Sequence, residues 1–319
     1  MTRPLPTLHV VAGVLSDADG RVLIGQRPPG KHMADAWEFP GGKRDPGESR
    51  LAALDRELHE ELGLRLLEAR PLIRYRHVYP DREIDLDVWR VLRYEGQAHG
   101  REGQALDWVA PGELGRKPLL PADRPILSAL ALGSLCAVTG HYEDLPDFRR
   151  RVARVVERGA SLVQLRAPWA DQRELGALAA SAIEYCRPRA VPVVINGEPE
   201  RVMPVIAATG ADGIHLPVRC WRDLTAVSKP EAGWLGMSCH DREELAEAVR
   251  LGADYAVLGP VLATASHPGA PGIGWERFAA LTAPLPLPVF AIGGMVSTML
   301  EPAWRHGAQG VAAISALWE

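Results

Sequence analysis

Cysteine is scarce in this sequence. Its four residues, Cys136, Cys186, Cys220 and Cys239, are scattered and form no CxxC pair. That spacing argues against a disulfide framework or a zinc site and for reduced thiols in a cytoplasmic protein. Positive charge is not in excess. There are 36 Lys and Arg against 40 Asp and Glu, a formal net charge of -4. The chain therefore lacks the basic footprint of a duplex DNA or RNA binder, while a small anionic substrate remains open to it. No apolar run is long enough to span a bilayer. The start, "MTRPLPTLHVVAGVL", has no charged n-region ahead of a signal-length apolar core. We expect a cytoplasmic protein whose partners are small molecules, with no nucleic acid and no membrane.

What is present suffices for two hydrophobic cores. A length of 319 residues with 47% hydrophobic and 24% charged composition suggests two ordinary domains. Residues 1–133 read as α+β. "HVVAGVLSDADGRVLIGQR" looks like two strands around an Asp/Gly turn, and "IDLDVWRVLRY" alternates like a strand. Between them lie the glycine-rich "FPGGKRDPGE" and the helical "SRLAALDRELHEEL". Leu51, Leu54, Leu58 and Leu62 fall at helical spacing, with Ser49 as N-cap. "LLPADRPILSALALG" reads as a loop and a short helix. From 134 to 319 the rhythm changes. Eight short apolar strands alternate with helical segments, which predicts a parallel α/β sheet buried on both faces. Eight units fit a closed (β/α)8 barrel, with an open doubly wound sheet as the alternative.

The helix carries an internal conflict. Glu57, Glu60 and Glu61 share one face and repel. A solvated acidic face is the bland reading. A hard divalent cation is the other, because such ions take carboxylate oxygens and would cancel the repulsion. The glycines upstream let backbone approach the same point, and Arg56 can orient a carboxylate.

The spacing of "GGKRDPGESRLAALDRELHEELGL" resembles the Nudix box throughout: Gly42, five residues, Glu48, seven residues, then Arg56-Glu57-Leu58, Glu60-Glu61 and Gly63-Leu64. "HMADAWEFPGGK", Tyr79 to Arg82, Glu102 to Gln104 and "PADRPI" extend the similarity to the MutT-type 8-oxo-dGTP diphosphatases over residues 8 to 131. The resemblance implies a mixed sheet with flanking helices and a Mg²⁺-dependent hydrolase, with Mn²⁺ as the alternative ion. In that family water attacks the β-phosphorus of a nucleoside triphosphate and releases pyrophosphate, which sanitises the nucleotide pool. By motif, Gly41 would lend a carbonyl to the metal, and Glu57, Glu60, Glu61 and Glu102 would be ligands. Glu57, Glu60, Glu102 and Arg56 would form the catalytic group. Arg27 and Arg82 would face the phosphates, and His32, Glu38, Phe39, Pro40 and Gly41 would border the nucleotide. One departure is Asp123, where the bacterial pattern has Asn reading the base. Ionised Asp only accepts hydrogen bonds, whereas a buried, protonated one also donates. A helix N-cap is the competing reading of Asp123, and both can hold.

The second half resembles thiamine phosphate synthase and its relative TenI. "QLRA" at Gln164 to Ala167, "ADGIHLP" at Ala211 to Pro217, "GMSCH" ending at His240, "FAIGGM" and "GVAAISAL" carry the likeness. These fall at predicted strand ends, where barrel sites are built. The resemblance implies that Gly293, Gly294, Ile314 and Ser315 cradle a phosphate and that Thr264 and Ser266 approach a second phosphoryl group. The ligand would be a phosphorylated thiazole or pyrimidine. Several positions depart from the family. Arg166 is followed by "APW" instead of an acid and lysine. Asn196-Gly197 replaces the Asn-Asp that helps bind Mg²⁺, His267 replaces a lysine, and Pro260 stands where TenI has histidine. His215 and His240 read either as packed or surface residues or as catalytic ones. We expect a phosphate-binding barrel of doubtful catalysis. The alternatives are a bifunctional protein with synthase activity and a barrel that only regulates the hydrolase.

Overall fold

In the computed structural model, residues 5–222, 225–226, 233–264 and 271–319 are described. Two compact units emerge, 1–131 with 283–286 and 132–282 with 287–319. Among the described residues no helix is long and apolar enough to cross a membrane.

In the first unit the predicted hairpin forms. β1 (Thr7–Val14) and β2 (Val22–Gln26) flank the "DADG" turn, closed by Asp17 Oδ1 accepting the amides of Asp19 and Arg21 at 3.0 and 2.9 Å. β3 (Trp37–Glu38), β4 (Gly41–Lys43), α1 (Arg50–Leu62), β5 (Arg65–Val78), β6 (Glu83–Glu95), β7 (Leu106–Val109) and α2 (Arg124–Leu132) follow. One sheet has the order β4-β1-β6-β5 and a second the order β3-β2-β7. β1 pairs parallel with β6 and antiparallel with β4, so the first sheet is mixed.

Residues of β1 alternate between two cores, as a pleated strand requires. Ala12 and Val14 join Val22, Ile24, Tyr75 and Ile126; Val11 joins Leu54, Leu58, Leu62 and Trp89. Ser49 Oγ accepts the Ala52 amide at 3.2 Å, capping α1, and Gly63 ends it at φ +72°. The leucine stripe is buried at Leu54, Leu58 and Leu62, but Leu51 stays 43% exposed. Periodicity marks a side of the helix, not how far along it neighbours extend.

The second unit is a closed barrel of eight described strands: β8 (Leu135–Val138), β9 (Leu162–Leu165), β10 (Val193–Asn196), β11 (Gly213–Leu216), β12 (Trp234–Cys239), β13 (Tyr255–Leu258), β14 (Val289–Ile292) and β15 (Gly310–Ala313). All neighbours are parallel. β15 pairs back onto β8, which excludes the open sheet. The helices are α3 (Leu145–Glu157), α4 (Gln172–Cys186), α5 (Pro199–Thr209), α6 (Arg242–Arg250), α7 (Trp275–Thr282), α8 (Leu300–Arg305) and α9 (Ser315–Trp318). Asp144, Asp171 and Asp241 each cap a helix by accepting the amide three residues on.

Leu58→Ala is expected to destabilise the chain by about 2–5 kcal/mol, because the buried site cannot fully collapse. Leu51→Ala should stay within about 0.5 kcal/mol of wild type, as an exposed change does. Denaturant titration of both variants checks the pair.

Candidate active site

Two glycines bring backbone and carboxylates together. A Cβ at Gly41 would lie 2.1 Å from the Val11 carbonyl oxygen, and one at Gly42 would lie 2.3 Å from Glu57 Oε2. A side chain at 41 would push β4 off β1, and one at 42 would displace the Glu57 carboxylate. The Gly41 amide instead donates to Glu61 Oε2 at 3.0 Å. Arg56 ties the helix to the loop. Its Nε and Nη2 hold both Glu48 oxygens at 3.1 and 3.0 Å, Nη2 reaches the Lys43 carbonyl at 2.9 Å, and Nη1 holds Glu57 at 2.7 Å and Glu60 at 3.2 Å. Those bonds with Glu48 and Glu57 keep the guanidinium firmly protonated.

A cavity of about 380 Å³ opens beside this loop. Glu38, Gly41, Glu57, Glu61 and Glu102 line it, together with Arg27, Lys31, Lys43 and Arg82. Leu8, Val10, Phe39, Ile84, Leu86 and Asp123 are also in its wall. Burial pushes Glu61 up to about 7, helped by the charges of Glu38, Glu102 and Glu57 and opposed by the Gly41 amide. Burial also raises Glu57 against the pull of Arg56, and Glu38 against the pull of Arg27. Asp123 is pushed up to about 8 by burial and by the charge of Glu38. Its Oδ2 accepts the Phe39 amide at 3.3 Å, and the neighbouring Ala122 carbonyl accepts the Tyr75 hydroxyl.

The other predicted residues fall into place unevenly. Arg27 pairs with Glu38 and donates to the His32 carbonyl at 2.7 Å. His32 and Arg82 line the cavity, with His32 edge-on to Tyr79 and Arg82 paired to Asp81. Pro40 is buried, and its carbonyl accepts the Gly13 amide at 2.8 Å. Glu60 is turned away: its side chain is 55% exposed, and it is not among the lining residues. Sequence reasoning missed Lys31, which holds Glu102 at 2.7 Å, and the apolar walls. The walls had a signal in alternation, since Leu8 sits opposite Ile84 and Val10 opposite Leu86 in the β1–β6 register.

A sequence profile of the NUDIX domain matches residues 11–129, and one of thiamine monophosphate synthase matches residues 135–317. The CTP pyrophosphohydrolase of Escherichia coli (strain K12) is 40% identical over 122 residues, which cover 38% of this chain and 90% of that protein. The chain joins a Nudix hydrolase to a member of the thiamine monophosphate synthase family. The 8-oxo-dGTP diphosphatase of the same organism is 34% identical over 123 residues, covering 39% of this chain and 95% of that protein. The thiamine-phosphate synthase of Chlorobium luteolum is 34% identical over 189 residues, covering 57% of this chain and 84% of that protein.

Nudix hydrolases act on phosphoric anhydrides and generally need a divalent metal. The donor set of this Nudix domain fits such an ion. Glu57, Glu61 and Glu102 supply hard oxygens around a side-chain-free backbone, and burial together with like charge raises two of them. Each is presently turned to a local partner: Glu57 to Arg56, Glu61 to the Gly41 amide, Glu102 to Lys31. Accordingly, no three acidic side chains already converge as a metal cluster among the described residues.

The synthase-family barrel has a cavity of about 280 Å³ at the carboxyl ends of its strands. Thr264, Gly293 and Ile314 line it. Gly294 and Ser315 are not among the lining residues, and Ser266 and His267 lie outside the described residues. His215 is buried, bonded to Tyr255 Oη at 3.1 Å and Ser238 Oγ at 2.9 Å, and burial pushes it down to about 3. His240 pairs with Glu244 at 3.0 Å. No carboxylate lines this cavity, so the described residues do not fit the divalent cation that the synthase family implies.

Because Asp123 titrates near 8 when folded and near 3.8 otherwise, the folded Nudix domain retains a proton that the unfolded chain releases between those values. Its contribution to stability is full below that window and falls as pH rises through it, by at most about 1.4 kcal/mol per pH unit. Asp123→Asn keeps the shape and removes the titration. The melting temperature of the variant relative to wild type is expected to climb steadily as pH is raised from mildly acidic to mildly alkaline.

Proposed function

We propose that the Nudix domain is a Mg²⁺-dependent pyrophosphohydrolase of nucleoside triphosphates, with Mn²⁺ as a substitute ion. It would release pyrophosphate and the nucleoside monophosphate. The observation that carries this reading is that the carboxylates of Glu38, Glu57, Glu61 and Glu102, the bare glycine backbone and a set of apolar side chains line one cavity. A triphosphate with its cation suits the carboxylates, and a base suits the apolar side chains.

Glu57, Glu61 and the Gly41 carbonyl would hold the cation, with Glu60 joining by a rotation away from Arg56 and Glu102 left to act as the general base. A divalent ion there supplies charge neutralisation for the phosphates and lowers the pKa of the attacking water. Arg56 holds Glu57 in place against its neighbours. Glu102, released from Lys31, takes the water proton, and the freed Lys31 ammonium meets phosphate together with Arg27 and Arg82. The cavity's apolar walls exclude water from the base.

Our first reading of the base is an oxidised purine, as in nucleotide-pool sanitation. At neutral pH Asp123 carries a proton, so it offers a donor beside an acceptor. The 8-oxo-purine edge, with N7–H, matches an accepting oxygen. A second reading, a cytosine nucleotide, is favoured by the 40% identity to a CTP pyrophosphohydrolase. The cytosine edge also pairs a donor with an acceptor.

Glu57→Gln and Glu61→Gln should each lower kcat by about 100-fold or more, as loss of charge stabilisation at phosphorus does, with little change in melting temperature. Full activity in both would sink the metal assignment. A panel of 8-oxo-dGTP, dGTP and CTP, assayed for pyrophosphate release, ranks the bases. Equal kcat/KM on 8-oxo-dGTP and dGTP would count against sanitation, and a lead for CTP would install the second reading.

A further inference from the structure

The barrel cavity is cationic and polar with no acid in its wall. Arg166 and Arg219 are its permanent charges. Arg166 is exposed and has no ion-pair partner among the described residues, while Arg219 reaches Glu198 only at 3.6 Å. Of the acids near the lining residues along the chain, Glu198 is matched to Arg219 and Glu244 to Arg222 and His240, while Asp241 is engaged as the cap of α6. The segment following Thr264 reads "ASHPGA" and brings no acid of its own.

The absence of a carboxylate at the end of β10 is built into the packing. Asn196 turns inward to Gln164, its Nδ2 donating to Oε1 at 3.2 Å. At Gly197 a Cβ would stand 2.9 Å from Val202 Cγ1, closer than carbon atoms tolerate. A side chain at 197 therefore requires Val202 to shift.

Groups that hold an anion directly remain. Gly293 and Gly294 are both left-handed, at φ +97° and +68°, a turn in which successive amides can converge on an anion. Cβ atoms there would meet Pro260 at 2.6 Å and Leu262 at 2.9 Å, so the turn is kept bare. Among the described residues Thr264 Oγ1 is buried and has no hydrogen-bond partner, an orphan that a ligand oxygen would satisfy. Val138, Val257, Ile292 and Ile314 give the same cavity an apolar wall fit for a ring.

We infer that this barrel holds a phosphomonoester carried on a small ring through protein groups alone, without a divalent cation, and that it does not displace pyrophosphate. A pyrophosphate leaving group develops charge that two exposed arginines without a metal cannot offset as a bound cation does. A monoester dianion asks for less, and Arg166, the glycine turn and the Thr264 hydroxyl meet it.

Calorimetric titration of the full chain with thiamine monophosphate tests this, in excess EDTA and again in millimolar Mg²⁺. The probe has no phosphoric anhydride for the Nudix domain to cleave. Dissociation constants equal within about threefold in the two buffers are expected, because no counter-ion enters the site. Arg166→Ala should weaken binding about tenfold or more by removing a charge-assisted contact. Thr264→Val is the control for folding: the hydroxyl it removes is unpaired, so melting temperature should hold while affinity falls. Absence of binding, binding that requires Mg²⁺, or binding untouched by both substitutions would overturn the inference. So would formation of thiamine phosphate from a pyrimidine diphosphate and a thiazole phosphate.

Discussion

Crowded negative charge is the constraint around which the Nudix domain is arranged. Glu38, Glu57, Glu61 and Glu102 border one cavity, with Glu57 against Gly42 and Glu61 against the Gly41 amide. None is left to face the others alone. Arg27, Arg56 and Lys31 each take one carboxylate and the Gly41 amide takes the fourth. This places positive charge around the rim of an acidic bowl, where an incoming triphosphate and its cation would exchange with it. Arg56 differs from the other two because it also grips Glu48 with both nitrogens and the Lys43 carbonyl. It serves as a strut of the loop first and a counter-charge second.

The two cavities of the chain pose opposite electrostatic problems. The Nudix cavity sets Glu38, Glu57, Glu61, Glu102 and Asp123 beside Arg27, Lys31, Lys43 and Arg82. The barrel cavity contains no acid and presents arginine, amide and hydroxyl donors directly. Both use paired glycines, though for different ends. Gly41 and Gly42 admit carboxylates against backbone, whereas Gly293 and Gly294 form a left-handed turn packed against Pro260 and Leu262. In the readings proposed above, phosphate would be met through a metal in one unit and through the chain's own donors in the other.

Much of this was legible in the residues, for identifiable reasons. The helix Arg50–Leu62 announced itself through its leucines, its Ser49 cap and its terminal Gly63, all local signals. The barrel was legible from short apolar strands because burial on both faces leaves little room for polar residues. Spacing brought out Glu57 and Glu61, since a fixed i, i+4 step fixes their common face. It could not distinguish Glu60, whose orientation depends on which neighbour Arg56 reaches. Lys31 and the Leu8, Val10, Ile84, Leu86 wall were hidden because they depend on long-range register, with β1 set parallel to a strand some seventy residues later. Asp123 was noticed as a departure, but its near-complete burial and its bond to Phe39 come only from the fold.

The packing of Gly197 against Val202 bears on what a substitution at either position can do alone. A Cβ at 197 would stand 2.9 Å from Val202 Cγ1, so a side chain introduced there needs Val202 to give way. A smaller residue at 202 alone would open a void in a fully buried position. Seating a carboxylate at the end of β10 is therefore a problem of two residues, in which the side chain that fills space has to be redesigned together with the one that would bind.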